Sequence, residues 1–185
     1  MATKEQILKT ALKHFAKKGY KNTSIEEIAK EIGITKPAVY YYFKNKKALY
    51  NEIFKNIFKD IDFHKQESLE KNIEHYINTL ASVFINNPQF AKLFAKELAC
   101  EGEHLEEETL KITSKTIKFL KEILKDTDLN PFFIQTLVIA SFTTYLNTVN
   151  LRKKVGVILN EKINLHFDIK DEITKTINLY IKAHI

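Results

Sequence analysis

Residues 24–46 leave this chain little freedom in how its first third folds. Ser24 to Ile32 reads SIEEIAKEI, in which Ser24 and Glu27 have the spacing of a capping box and Ile25, Ile28, Ala29 and Ile32 recur at helical spacing. Gly33 and Ile34 follow, and then Thr35 to Lys46, TKPAVYYYFKNK, begins again with a residue that can cap a helix. Pro37 sits in that first turn, where its missing N–H would have no intrahelical partner. Val39 and Phe43, four apart, share one face of the second helix, while Lys36, Tyr40, Tyr41 and Lys44 fall largely off it. The helix therefore docks by one side and offers cations and phenols on the other. Helix, glycine turn and second helix make a helix-turn-helix, whose second helix enters the major groove of DNA.

The run from Thr23 to Tyr50, TSIEEIAKEIGITKPAVYYYFKNKKALY, resembles the N-terminal DNA-binding domain of the TetR (tetracycline-repressor-like) family of bacterial transcriptional regulators. The Thr23-Ser24 pair, Ile28-Ala29, Gly33, Thr35, Tyr40, the aromatic pair Tyr42-Phe43, and Lys46 followed by Ala48-Leu49 carry the resemblance. The Y-x-Y-F-x-x-K tail is the most specific part. Ala38 stands where a Thr or Ser is often found and Lys47 where Glu is frequent. The first departure removes a hydroxyl that could meet DNA and bears on base preference, not on the fold.

Charge is informative once it is divided along the chain. Residues 1–50 hold eleven Lys against four acids, net +7, and residues 51–185 hold 18 Lys and Arg against 19 acids, net −1, which together give the +6 of the 185-residue chain. The whole cationic excess lies on the end that carries the motif, as phosphate neutralisation requires. Four Gly and three Pro are too few for an all-β fold with its many turns. A single Cys, Cys100, allows no internal disulfide and suits a reducing cytoplasm. The polar start MATKEQILKT reads as a helix and not as a signal peptide, and no apolar run approaches the ~20 residues of a membrane span. A soluble, cytoplasmic protein without membrane contact is expected.

The remaining pattern is helical throughout. Thr3 caps a first helix over Lys4–Lys18, stopped at Gly19, with Ile7, Leu8, Ala11, Leu12 and Phe15 as its apolar stripe. Lys46 opens a long helix that runs through Ile61, and residues 64–68 read as a hinge. Amphipathic helices follow over residues 69–85, 89–100 and 105–124, then one from Asn130-Pro131 to about Arg152, and a final one from Asp168 or Asp171. Residues 152–167 have a mixed pattern, open to a loop, a short helix or both. The expectation is an all-α chain of about nine helices. A three-helix helix-turn-helix domain, residues 1–62, is linked by the long helix to a helical ligand-binding and dimerisation domain, residues 63–185.

The helix that starts at Pro131 is apolar nearly all round, with Ala140, Thr144 and Thr148 four apart, so that another helix can approach closely. Together with Ile173, Ile177 and Tyr180 of the last helix this is either an isologous two-fold interface, as the resemblance also implies, or the central core of one subunit.

For DNA binding the resemblance implies that Lys36, Pro37, Ala38, Tyr40 and Tyr41 face the groove and that Thr35 opens their helix. Lys36 would reach a guanine edge or a phosphate, and Pro37 or Ala38 a thymine methyl. Tyr42, Lys44 and Lys46 would grip phosphates, with Thr23 and Ser24 at a helix N-terminus. Phe43 reads as core, and the Tyr40 ring can pack while its hydroxyl meets a phosphate. The family's second domain usually holds a ligand, for which Phe84, Phe90, Phe94, Phe119, Phe133, Phe142 and Tyr145 are candidates, each of them equally readable as core. Catalysis has little support, because Cys100 and His104 sit among Glu97, Glu101 and Glu103, which would raise a thiol's pKa. Neither a Gly-rich phosphate loop nor a required metal or cofactor is expected.

The sequence thus points to a homodimeric regulator, more readily a repressor, that binds a palindromic operator in double-stranded DNA and is released by a small apolar or amphiphilic effector. Its rivals are a regulator of the same build without an inducer, and a carrier of apolar ligands that has lost operator binding.

Overall fold

The computed structural model describes residues 3–160 and 167–184, and among them it contains eleven helices and no strand. They are α1 Lys4–Lys18, α2 Ile25–Glu31, α3 Lys36–Tyr42, α4 Lys46–Phe58, α5 Leu69–Ile85, α6 Pro88–Ala99, α7 Glu107–Thr113, α8 Lys115–Ile123, α9 Pro131–Asn147, α10 Val149–Leu159 and α11 Ile169–His184. The chain packs as two units, one of Met1–Ile61 with Lys92–Thr113 and the other of Asp62–Ala91 with Ser114–Ile185.

In the first unit, α1 packs on α2 and α4, and α2 packs on α3. Ile7, Ala11 and Phe15 of α1 meet a core completed by Ile28, Val39, Leu49, Ile53 and Phe54, all of them buried. Both expected caps of α1 are present, the Thr3 box with Gln6 and the Gly19 stop at φ 80. Phe94 of α6 lies 6.2 Å from both Phe54 and Phe58 of α4, and α7 packs on α4, so residues 92–113 share the core of the N-terminal helices. Helix α4 ends at Phe58, and the chain reaches α5 through a segment without regular structure.

In the second unit α5 lies against α8, α9 and α11. Its Ile73, Tyr76, Ile77, Leu80 and Phe84 are buried together with Phe119, Leu120, Ile134, Val138 and Phe142. Ile173, Ile177 and Ile181 of α11 are buried within this same chain. That corrects the expectation that Ile173 and Ile177 belong to a subunit interface, since they form the stripe by which α11 packs on α5 and α9. The opposite face of α11 carries Leu179, 70% exposed.

Besides α4, which ends at Phe58 and not at the expected Ile61, two helices are shorter than their periodicity predicts. The stretch 105–124 breaks at Ser114 into α7 and α8. The helix that starts at Pro131 stops at Asn147, and α10 leaves it at 65°. Hydroxyls of Thr143 and Thr148 donate to carbonyls one turn back, at 2.8 and 2.6 Å, and Arg152 donates to the Tyr145 carbonyl and to the Thr148 hydroxyl, at 2.8 and 2.6 Å. Such back-bonding draws carbonyls off the helical ladder and bends it. Of the mixed segment 152–167, residues up to Leu159 are helical and Asn160 ends the helix in the left-handed region, while residues 161–166 lie outside the described set. No single described helix is long and apolar enough to cross a membrane.

Candidate nucleic-acid interface

The glycine turn sets the site. After α2, Ile34 N–H donates to the Ala29 carbonyl at 3.0 Å and Gly33 N–H to the Lys30 carbonyl at 3.2 Å, the paired bonds of a Schellman end. They require a left-handed residue between them, and Gly33 supplies φ 70. Thr35 then caps α3 by accepting from the Ala38 N–H, and Ser24 and Glu27 cap α2 reciprocally. With both helices fixed at their starts, burial of Val39 and Phe43 decides which way α3 faces.

Its other face is open. Tyr41 is 84% exposed and its ring meets Tyr42 edge-on at 5.1 Å, while Tyr40 and Tyr42 are part-exposed. The Lys36 ammonium lies 6.0 Å from the Tyr40 ring centre. Pro37, Lys44 and Ser24 are exposed and Ala38 is half-buried.

Ion pairs sort the lysines of this unit. Lys13 and His14 hold Glu31, Lys18 holds Glu27, Lys4 holds Glu52 and Lys55 holds Glu108. The Lys18 hydrogen bond keeps the Glu27 carboxyl below its ordinary range, and those of Lys13 and His14 do the same for Glu31. Lys36, Lys44 and Lys47 have no carboxylate partner among the described residues. Lys9, Lys17, Lys21 and Lys30 likewise lack one, so what sets α3 apart is that Lys36 and Lys44 stand with exposed phenols on the face turned away from the core.

Two expected phosphate contacts are corrected. Thr23 is 2% exposed, and its hydroxyl donates to the Gly19 carbonyl at 2.8 Å. The Lys46 ammonium donates to the carbonyls of Tyr20, Thr23 and Lys21 at 3.0, 3.1 and 3.5 Å and lies 4.5 Å from the Tyr20 ring centre. Three N–H groups aimed at three carbonyls leave none for DNA, so Lys46 is a clamp between the α1–α2 turn and α4.

A buried polar cluster in the same unit escaped the sequence reading. The Tyr50 hydroxyl donates to Glu97 at 2.7 Å, the His104 backbone N–H donates to the same carboxylate at 2.8 Å, and the His104 Nδ1 lies 3.0 Å from it. Asn51 donates to the His104 carbonyl at 3.0 Å and accepts from the Glu106 N–H at 2.8 Å. Burial and then the Glu97 bond push the Tyr50 phenol far up. Partners 47 to 55 residues apart leave no local signal in the sequence. His104 thus turns inward to Glu97, while Cys100 is exposed.

The aromatic ligand candidates do not form one group. Phe84 stacks on Phe90 and Phe142 at 6.0 and 6.1 Å, all three fully buried, and Phe119 packs with Tyr76. Phe94 belongs to the first unit; in the second, Phe133 is exposed beside Tyr180 at 5.2 Å, and the Tyr145 hydroxyl donates to the Phe167 carbonyl at 3.0 Å. Of the expected interface residues, Ala140 and Thr144 are exposed, and Thr148 and Tyr180 half-buried.

Residues 7–53 match the family of bacterial regulatory proteins of tetR type. The uncharacterized HTH-type transcriptional regulator YhgD of Bacillus subtilis is 33% identical over 81 residues, covering 44% of this chain and 42% of its own, so the match spans less than half of that relative. IcaR of Staphylococcus epidermidis, a negative transcriptional regulator of the biofilm operon icaADBC, is 23% identical over 192 residues, 97% of this chain and 99% of its own. Among solved structures, a HlyIIR mutant protein superimposes with a TM-score of 0.68 at 25% identity, over 92% of this chain and 94% of its own. Residues 7–53 are thus a tetR-type domain of the bacterial regulatory proteins, and the chain as a whole shares its fold with the HlyIIR mutant protein.

Proposed function

We propose that this protein is a transcriptional repressor that binds a two-fold symmetric operator as a homodimer, with residues 1–62 as the DNA-binding part and residues 63–185 as the regulatory part. The observation that carries the reading is the outward face of α3, where Lys36, Pro37, Tyr40, Tyr41 and Lys44 stand clear of the core and both lysines lack a carboxylate partner. Such a face meets phosphates and base edges in a major groove. Repression draws on IcaR, which is named a negative regulator. Dimerisation draws on the exposed strip of α9, where Phe132, Phe133, Thr136, Ala140 and Thr144 lie uncovered by this chain.

Release by a small apolar or amphiphilic effector is part of the proposal, acting through the separation of the two recognition helices, ~34 Å for adjacent major grooves. Close packing of Phe84, Phe90 and Phe142 favours a second reading, a regulator of the same build without an inducer.

The test is selection of the purified protein against random duplex DNA at two salt concentrations, with Lys36→Ala and Tyr40→Ala alongside. Enrichment of a palindrome by the wild type, lost in both variants at unchanged helicity, is the expected result. Binding without sequence preference and indifferent to both substitutions would overturn the operator reading.

A further inference from the structure

Three nearly parallel rings meet where the second unit begins. Phe63 lies 4.8 Å from Phe119 with the planes 14° apart, and 5.6 Å from Tyr76 at 25°. His75 closes the group edge-on, 6.1 Å from Phe63 and 6.0 Å from Phe119. Phe119 and Tyr76 are buried members of helices, but Phe63 comes from the irregular segment after Ile61 and is only half-buried.

Two polar atoms at this place have no partner. The Tyr76 hydroxyl and the His75 Nε2 are both buried and make no hydrogen bond. Burial alone pushes the Tyr76 phenol far up, so it stays an O–H donor. A buried donor without an acceptor is costly and scarce in native proteins. The Phe63 ring offers a flat apolar surface and nothing that could accept.

We propose that the seat of Phe63 is the effector site, and that the effector is a planar aromatic carboxylate. Its ring takes the place of Phe63 against Phe119, and its oxygens accept from the Tyr76 hydroxyl and from His75. This deepens the regulator reading and rests on it for its consequence. Phe63 belongs to a segment held along its length, with the His64 ring 4.3 Å from His75, Lys65 paired to Glu122 at 2.9 Å, and the Gln66 N–H donating to Asn72 at 2.9 Å. That segment follows Ile61, one of the three places where the chain passes between the units. Ejecting the ring frees this segment from Phe119 and Tyr76.

The experiment titrates the full chain with 1-naphthoate by calorimetry, comparing wild type, Phe63→Ala, Tyr76→Phe and the double variant. A vacated seat binds the probe at least about tenfold more tightly in Phe63→Ala than in wild type, and Tyr76→Phe removes about tenfold in either background. Circular dichroism checks each variant, and Phe63→Leu replaces Phe63→Ala if that protein does not fold. Equal affinity of wild type and the Phe63 variant, no binding by either, or a double variant as tight as the single one, would overturn the site. Operator binding is measured in parallel with and without probe. Naphthoate binding without operator binding sinks the regulator reading and leaves the site standing. Operator binding by a protein whose Phe63 variants ignore naphthoate sinks the site alone.

Discussion

Lysines close together in this sequence have opposite duties, and the difference is which atoms their ammonium groups find. Lys46 saturates its three N–H groups on the carbonyls of residues 20, 21 and 23, whereas Lys36 ends over the Tyr40 ring at the surface. Replacing Lys46 by Met removes its bonds to the part-buried carbonyls of Tyr20 and Thr23, of which Tyr20 keeps only the Thr23 N–H, and should cost about 1–3 kcal/mol in urea unfolding. Lys36→Ala should leave stability unchanged and reduce the slope of log K against log salt by about one phosphate contact. The reverse assignment, with Lys46→Met stable but weak on DNA, would show that the clamp opens in the complex. His75 supplies a pH dependence. Burial first, and then His64, hold its imidazole below the ordinary 6.5, so folding favours its neutral form. The stabilisation is complete above the unfolded value and is lost as pH falls through it and towards the lower folded value. The melting temperature should therefore fall more steeply below pH 6.5 in the wild type than in His75→Phe, and parallel curves would refute the assignment.

At the scale of elements, the turn between α2 and α3 depends on one backbone angle. Gly33 sits at φ 70 with nothing within 4 Å of where a Cβ would be, so Gly33→Ala meets strain and no clash. Chemical denaturation should show a loss of about 1–2 kcal/mol with the unfolding slope unchanged. That turn was legible because its signals are local: a capping box, a glycine and a second cap lie within a dozen residues. The caps of α1 and α9, Thr3 and Asn130, were legible for the same reason. What stayed hidden depended on distant partners. The charge total of residues 1–50 does not say that Glu31 and Glu27 pair with Lys13 and Lys18 while Lys36 has no carboxylate partner among the described residues. Nor does the stripe of Ile173 and Ile177 distinguish a partner subunit from α5 and α9, against which it is buried. The consequence can be checked on two residues. Ile177→Ala should destabilise the folded chain by about 2–5 kcal/mol, as expected for a vacated core position. Ala140→Lys, on the exposed face of α9, should leave the secondary structure intact and shift the sedimentation coefficient to that of a monomer. A stable dimer in the Lys variant would move the interface elsewhere.

For the whole molecule, the division of charge and the strip on α9 make one joint demand. On the proposed reading phosphate contacts come from the cationic N-terminal end, and each subunit brings its own small set, Lys36, Lys44 and Lys47, which lack a carboxylate partner among the described residues. If two subunits engage one operator, about six neutralised phosphates give a slope of log K against log salt near −5, or ~10³-fold weaker binding between 50 and 200 mM salt. The remaining chain is near neutral and adds little to that slope. A monomeric variant such as Ala140→Lys keeps one recognition helix per particle, and its slope should drop to about half while its preference for a palindrome over a single half-site disappears. Both changes are needed together. A monomer that keeps the full slope would mean that the cationic domain grips DNA over a wider surface than α3. A monomer that keeps the palindrome would mean that DNA itself pairs the subunits, and the strip on α9 would then be free for some other helix.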